Sequence, residues 1–154
     1  MSLAQATLAD DRVPLGASPR GTLALLKPRL DCAEHELGRR STIAAMLAGV
    51  VAAAQLVCDE TDHARATLAD RLDVIERVAM PDPIALAYRT LAAIALRRGE
   101  EARSLEILVA LRELSIVRVL PRLQLGSLAE QVRLHATCGR VQSVPSSRGG
   151  RSLR

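Results

Sequence analysis

Tyr88-Arg89-Thr90-Leu91-Ala92-Ala93-Ile94-Ala95-Leu96-Arg97-Arg98-Gly99-Glu100-Glu101-Ala102-Arg103-Ser104-Leu105-Glu106-Ile107-Leu108 decides the fold of this chain. A helical pattern runs into Gly99, which can take the left-handed conformation that closes a helix. Glu100 and Glu101 then open a second helix, where acidic side chains oppose the positive end of the dipole. The landmarks of this hairpin return 40 residues apart: Ala52 and Ala92, Ala64 and Ser104, Leu68 and Leu108, Pro81 and Pro121, Gly99 and Gly139. A fixed period in this range marks an array of helical hairpins, each burying its apolar face only against its neighbours. The expected fold class is all-α, an α-solenoid of stacked antiparallel hairpins.

Working outward, Ser41-Thr42 offers an N-cap for a helix running to about Cys58. Asp62 can cap the next, through Leu68, Leu72 and Ile75 to about Ala79, with Asp70, Arg71 and Asp73 between those apolar positions. Met80-Pro81-Asp82-Pro83 breaks the pattern, with Asp82 as a natural N-cap and Pro83 in the first helical position. The helix from Pro83 ends near Arg98, and the one after Gly99 carries Leu105, Leu108, Leu111 and Leu114 along one face. Pro121 opens a fifth, through Leu125, Leu128 and Val132, ending near Gly139. Upstream, Thr22 to Gly38 predicts a helix kinked or restarted at Pro28, and Leu3 to Asp10 a short one. The domain plan is a poorly defined segment over 1–21, a helical-repeat domain over 22–140 and a basic, disordered tail over 141–154.

At 154 residues the chain is long enough for one domain. With no Phe, no Trp and a single Tyr, its core must be built from Leu, Ala, Val and Ile. Small residues let helix axes approach closely, and no alternating aromatic or β-branched run predicts a sheet. The net charge of +4 is confined to Arg140, Arg148, Arg151 and Arg154, because residues 1–139 hold 17 basic and 17 acidic side chains. A neutral body argues against direct nucleic-acid binding. Lys27, the only lysine, lies between Leu26 and Pro28, so no phosphate-binding P-loop is present. The apolar run Ile43 to Cys58 contains Gln55 and falls short of the ~20 residues a membrane span needs. No secretory signal opens the sequence, and three widely spaced cysteines predict reduced thiols in a cytoplasmic protein.

Several residues invite chemistry and carry a plainer reading beside it. Cys32-x-x-His35 and His135-x-x-Cys138 have metal-ligand spacing, but about 100 residues separate them, at opposite ends of the array. No metal or cofactor is expected. Cys58 and His63 have no obvious orienting carboxylate or oxyanion loop beyond Asp59, Glu60 and Asp62, so no catalytic residue and no enzymatic activity are expected. The stripe Ala45-Gly49-Ala53 predicts close helix packing.

The repeat resembles the tetratricopeptide pattern, with Tyr88 on its aromatic position, Leu91, Ala92 and Ala95 following, Gly99 on the turn, and Ser104, Leu108 and Leu111 on the second helix. It departs in its longer period (the pattern has about 34 residues), its missing aromatics and its late prolines, which leaves HEAT-like packing as the alternative. Longer Ala/Leu/Arg-rich units of this kind look like the helical-repeat region of MalT-type regulators of the LuxR group. The stretches carrying that likeness are 71–77, 88–92 and 127–134, Ser127-Leu128-Ala129-Glu130-Gln131-Val132-Arg133-Leu134 among them. Such regulators join an ATP-binding domain, a helical-repeat sensor and a DNA-binding helix-turn-helix. The likeness implies a sensor or docking module for transcription regulation, without the ATPase and DNA-binding parts. The alternatives are a truncated product without autonomous activity, favoured by the composition change at Val141, or a direct DNA-binding regulator.

In tetratricopeptide-like stacks the first helix of each hairpin lines a concave groove. That register puts Leu86, Arg89, Ala93, Leu96 and Arg97 on the groove, joined by Gly126, Ala129 and Arg133 and by Met46, Gly49, Ala53 and Leu56. Arg89, Arg97 and Arg133 would then hold an anionic effector or an acidic protein partner through charge-assisted hydrogen bonds. The plainer reading is that they are solvated or paired with Glu130 and other acids. Exposed apolar faces at the ends of the array predict self-association, with the helix from Thr42 as the adhesive element.

Overall fold

The computed structural model describes residues 18–77 and 80–142, with side chains described as far as Gly139. Its described residues are helical throughout apart from short turns, and the fold is all-α. The helices are α1 (Pro19–Leu37), α2 (Thr42–Val57), α3 (Thr61–Leu68), α4 (Leu72–Arg77), α5 (Pro81–Arg97), α6 (Glu101–Val117) and α7 (Pro121–Gln142). The expected helix over Leu3–Asp10 and the expected tail from 143 onward lie outside the described residues.

Three turns share one geometry. Asp59, Gly99 and Val119 each take a positive φ, of 71°, 77° and 55°. The residue after each sends its N–H back five positions: Glu60 to Gln55 at 2.8 Å, Glu100 to Ala95 at 2.9 Å, and Leu120 to Ser115 at 2.8 Å. This is the reentrant closure that satisfies the orphan carbonyls at a helix end. Asp59 and Gly99 are 40 residues apart, as are the first residues of α3 and α6. Gly139, the third expected turn, lies inside α7 instead.

α2 is the hub. It packs on α1, α3, α4 and α5, and it buries Ala44, Ala45, Ala48, Val51, Ala52, Ala54 and Leu56. Buried Gln55 accepts from the Thr67 hydroxyl at 2.8 Å, so its polar end is satisfied. The largest core cluster joins α2 to α7 through Ala52, Leu68, Ile75, Ile84, Tyr88, Leu111 and Leu123. A second ties α1 to α2 through Leu30, Ala33, Ala48 and Val51, and a third ties α5, α6 and α7 through Ala92, Leu108 and Leu134. Ser104, buried on α6, donates to the Ala92 carbonyl of α5 at 2.9 Å.

Several expectations are corrected. The long helix expected from Asp62 to Ala79 is two short ones, because Asp70 takes φ 60° and Arg71 turns inward. Arg71 is fully buried, paired with Glu34 of α1, and its Nη1 donates to the Ala44 carbonyl at 3.4 Å. A charge expected between the apolar positions of one helix thus fastens the α3–α4 turn to α1 and α2. Pro81, not Pro83, opens α5, and Met80 rather than Asp82 is its N-cap. α1 starts at Pro19, capped by Ser18, and continues through Pro28. α7 is rotated about half a turn from its expected seating. Leu123, Ser127, Glu130 and Leu134 are buried, whereas Leu125 and Val132 are 69% and 67% exposed. Because α2 is covered, α7 carries the open apolar stripe that had been expected on the Thr42 helix.

Candidate functional site

Helices α2, α5 and α7 begin at 42, 81 and 121, and α5 borders one cleft with α2 and another with α7. Arg89 projects from the middle of α5, with its side chain 21% exposed, toward α7. Gly126 admits it: a Cβ there would stand 3.1 Å from Arg89 Nη2. One turn further along α7, Glu130 is 5% exposed and its Oε1 lies 3.6 Å from Arg89 Nη2. Arg133 Nη1 reaches the same oxygen at 3.3 Å. Glu130 Oε2 is buried and accepts no hydrogen bond. A carboxylate taken out of water needs this cationic company, and the two guanidinium groups supply it.

Two clefts flank the α5 ridge, and both are lined by Asp82 and Arg89. The one toward α2 encloses about 480 Å³ between Ala45, Met46, Leu47, Gly49 and Val50 of α2, Ile75 of α4, and Pro83 and Leu86 of α5. The one toward α7 encloses about 300 Å³ and is more polar, with Arg122, Gly126 and Ser127 in its wall. Of the residues that sequence reasoning placed on one groove, Met46, Gly49, Leu86 and Arg89 line the cleft toward α2, and Arg89 and Gly126 line the cleft toward α7. Sequence reasoning missed Arg122 and Asp82, whose positions in the first turns of α7 and α5 depended on where those helices start.

Arg97 and Leu96 belong elsewhere. Arg97 Nη1 donates to the Leu56 carbonyl at 2.6 Å and to Asp59 Oδ1 at 3.0 Å, so it fastens the end of α2 and its left-handed residue. Leu96 is half-buried against the cluster of Ala92, Leu108 and Leu134. Neither joins Arg89 and Arg133, which share Glu130 as the plainer sequence reading had it. Of the three expected arginines, Arg89 and Arg133 share Glu130 and Arg97 is held at the end of α2, while Arg122 lines the cleft toward α7.

Gly49 does not serve close helix packing. A Cβ there would meet nothing within 4 Å, although the residue is buried. Among the thiols, Cys32 is exposed on α1, and its pKa is raised first by a hydrogen bond to Glu36 and then by that residue's charge. Cys138 on α7 is raised by burial and by Glu101. His63 is exposed, 3.5 Å from Glu60. Among the described residues no three His, Cys, Asp or Glu side chains form a metal-sized group, and no helix is long and apolar enough to cross a membrane.

Compared with known proteins, the chain matches no protein-family model, no curated protein and no solved structure.

Proposed function

We propose that this chain is a cytoplasmic helical-repeat binding module, not an enzyme, and that it docks an acidic protein partner or anionic effector on the face of α2, α5 and α7. In this reading the hairpins stack as a tetratricopeptide-like solenoid, whose concave wall is that face, and the module serves as the sensor region of a MalT-like regulator. The repeated turn at Asp59 and Gly99 supports the stacking. The observation that carries the function is the convergence of Arg89 and Arg133 on buried Glu130, beside a cleft lined by Arg122. Together with Asp82 these groups leave one positive charge over, held on rigid helices, which favours an incoming carboxylate.

Fluorescence anisotropy with a labelled Glu-rich peptide tests this. Arg133→Ala and Arg122→Ala should each weaken binding roughly tenfold, and binding should weaken as salt rises. Arg112→Ala, on the exposed side of α6, should leave it unchanged. Equal affinity for all three variants would refute the proposal.

A further inference from the structure

Gly49 stands in the middle of α2, buried, with nothing within 4 Å of the position a Cβ would take. Glycine inside a helix is destabilising against alanine, and here no close approach of a neighbour demands it. What the missing side chain leaves open is the apolar cleft of about 480 Å³ between α2 and α5. Most of the interior of this chain is closed by small aliphatic side chains, so a void of that size beside a glycine is a shaped feature. Its volume lies in the range of small-molecule sites.

The wall of the cleft is aliphatic apart from two groups, Asp82 and Arg89. They lie seven residues apart on α5, which places them about 10 Å apart along the helix. An anion is therefore repelled from the Asp82 end and drawn to the Arg89 end. There Arg89, already paired with Glu130, also borders the cleft that holds Arg122. A guanidinium offers five N–H donors and can serve one carboxylate while it faces another.

We propose that the cleft between α2 and α5 binds a small amphiphilic acid, its aliphatic or aryl body over Gly49 and against Met46 and Leu86, its carboxylate at Arg89. This rests on the binding-module reading and names the ligand class of its α2 side. A partner peptide presenting an apolar side chain is the rival occupant. Arg89 is the one cationic group in its wall, which suits a compact monoanion better than a chain passing through.

The sequence holds three methionines, and the structure places Met46 in the cleft wall and Met80 54% exposed, outside it. Methyl-labelled methionine in the full chain therefore gives an NMR probe inside the site and a reference outside it. Octanoate should shift the Met46 methyl saturably, with a Kd on the order of 1 mM for a ligand of this size, and leave Met80 in place. Octanol should bind roughly tenfold more weakly, and Arg89→Gln should bring octanoate down to octanol. Gly49→Leu, which fills the cleft from a helix-compatible position, should weaken octanoate at least roughly tenfold. The Met46 response of the unaltered chain stands by itself if that variant does not fold. An unmoved Met46, an unsaturable drift of Met46 and Met80 together, or octanol binding as tightly as octanoate would overturn the proposal. If Met46 answers only to the Glu-rich peptide, this inference falls while the docking role stands. If octanoate binds and the peptide does not, the ligand site stands without the acidic partner.

Discussion

Val119 holds a φ of 55° at the α6–α7 turn, with its side chain 77% exposed. A β-branched residue pays for the left-handed conformation with a clash of about 1–2 kcal/mol, and this one recovers nothing by packing. Val119→Gly should therefore stabilise the protein by about 1 kcal/mol, measured by urea denaturation. Gly99 occupies the same conformation at the preceding turn without that strain. Tyr88 makes a second residue-scale case. Its hydroxyl donates to Glu76 Oε1 at 2.6 Å, and burial first, then that hydrogen bond and the Glu76 charge, push the phenol up, against a small opposing pull from Arg118. The folded state thus holds the proton more tightly than an unfolded tyrosine, which titrates near ~10. The stabilisation is fully present below about pH 10 and is lost as pH rises beyond it, with a slope of up to about 1.4 kcal/mol per unit. Tyr88→Phe should flatten that alkaline decline. Because Tyr88 is the only tyrosine and there is no tryptophan, phenolate absorbance in the native chain reports this one group.

Among the elements, α7 separates the two ways of reading it. Leu134 lies on its buried side, and Leu125 lies opposite. Leu134→Ala should cost about 2–4 kcal/mol, whereas Leu125→Ala should change stability by less than about 0.5 kcal/mol, both read from chemical denaturation. The hydrophobic pattern pointed at Leu125, Leu128 and Val132, since three large aliphatics at helical spacing ordinarily mark the inner face. They lost because the inner face holds Ser127, whose hydroxyl is spent on the Gln124 carbonyl at 2.9 Å, and Glu130, held by two arginines. The same blindness hid Arg71. Burial of a charge is decided by partners distant in sequence, here Glu34 and the Ala44 carbonyl, and no local pattern announces them. What the sequence made legible was the all-α class, the starts of α2 and α6, the left-handed Gly99, and the common face of Met46, Leu86 and Arg89. Those follow from caps, glycine and period. Arg97 was misplaced because its position on α5 suited the face, while its reach of several bonds carried it to Asp59.

Across the whole molecule, the turn after α2 and the turn after α5 are interchangeable. Glu60 precedes α3 with φ −88° and ψ 57°, and Glu100 precedes α6 with φ −89° and ψ 63°. Behind each, the chain closes on itself by the same reentrant hydrogen bonds. Ahead of each, a small buried residue and a buried leucine follow in step, Ala64 with Leu68 and Ser104 with Leu108. A gene that recombined unequally between these two points would join Glu60 to Glu101, or double the segment between them, and the backbone at the seam would need no new conformation. Chains descended from such exchanges would differ in length by whole units of 40 residues, the spacing of the two seams. The cleft between α2 and α5 would not survive the shorter product, because its far wall is Pro83, Leu86 and Arg89. Lineages that kept the pocket would be held to the longer form, and those that lost it would be free to shrink.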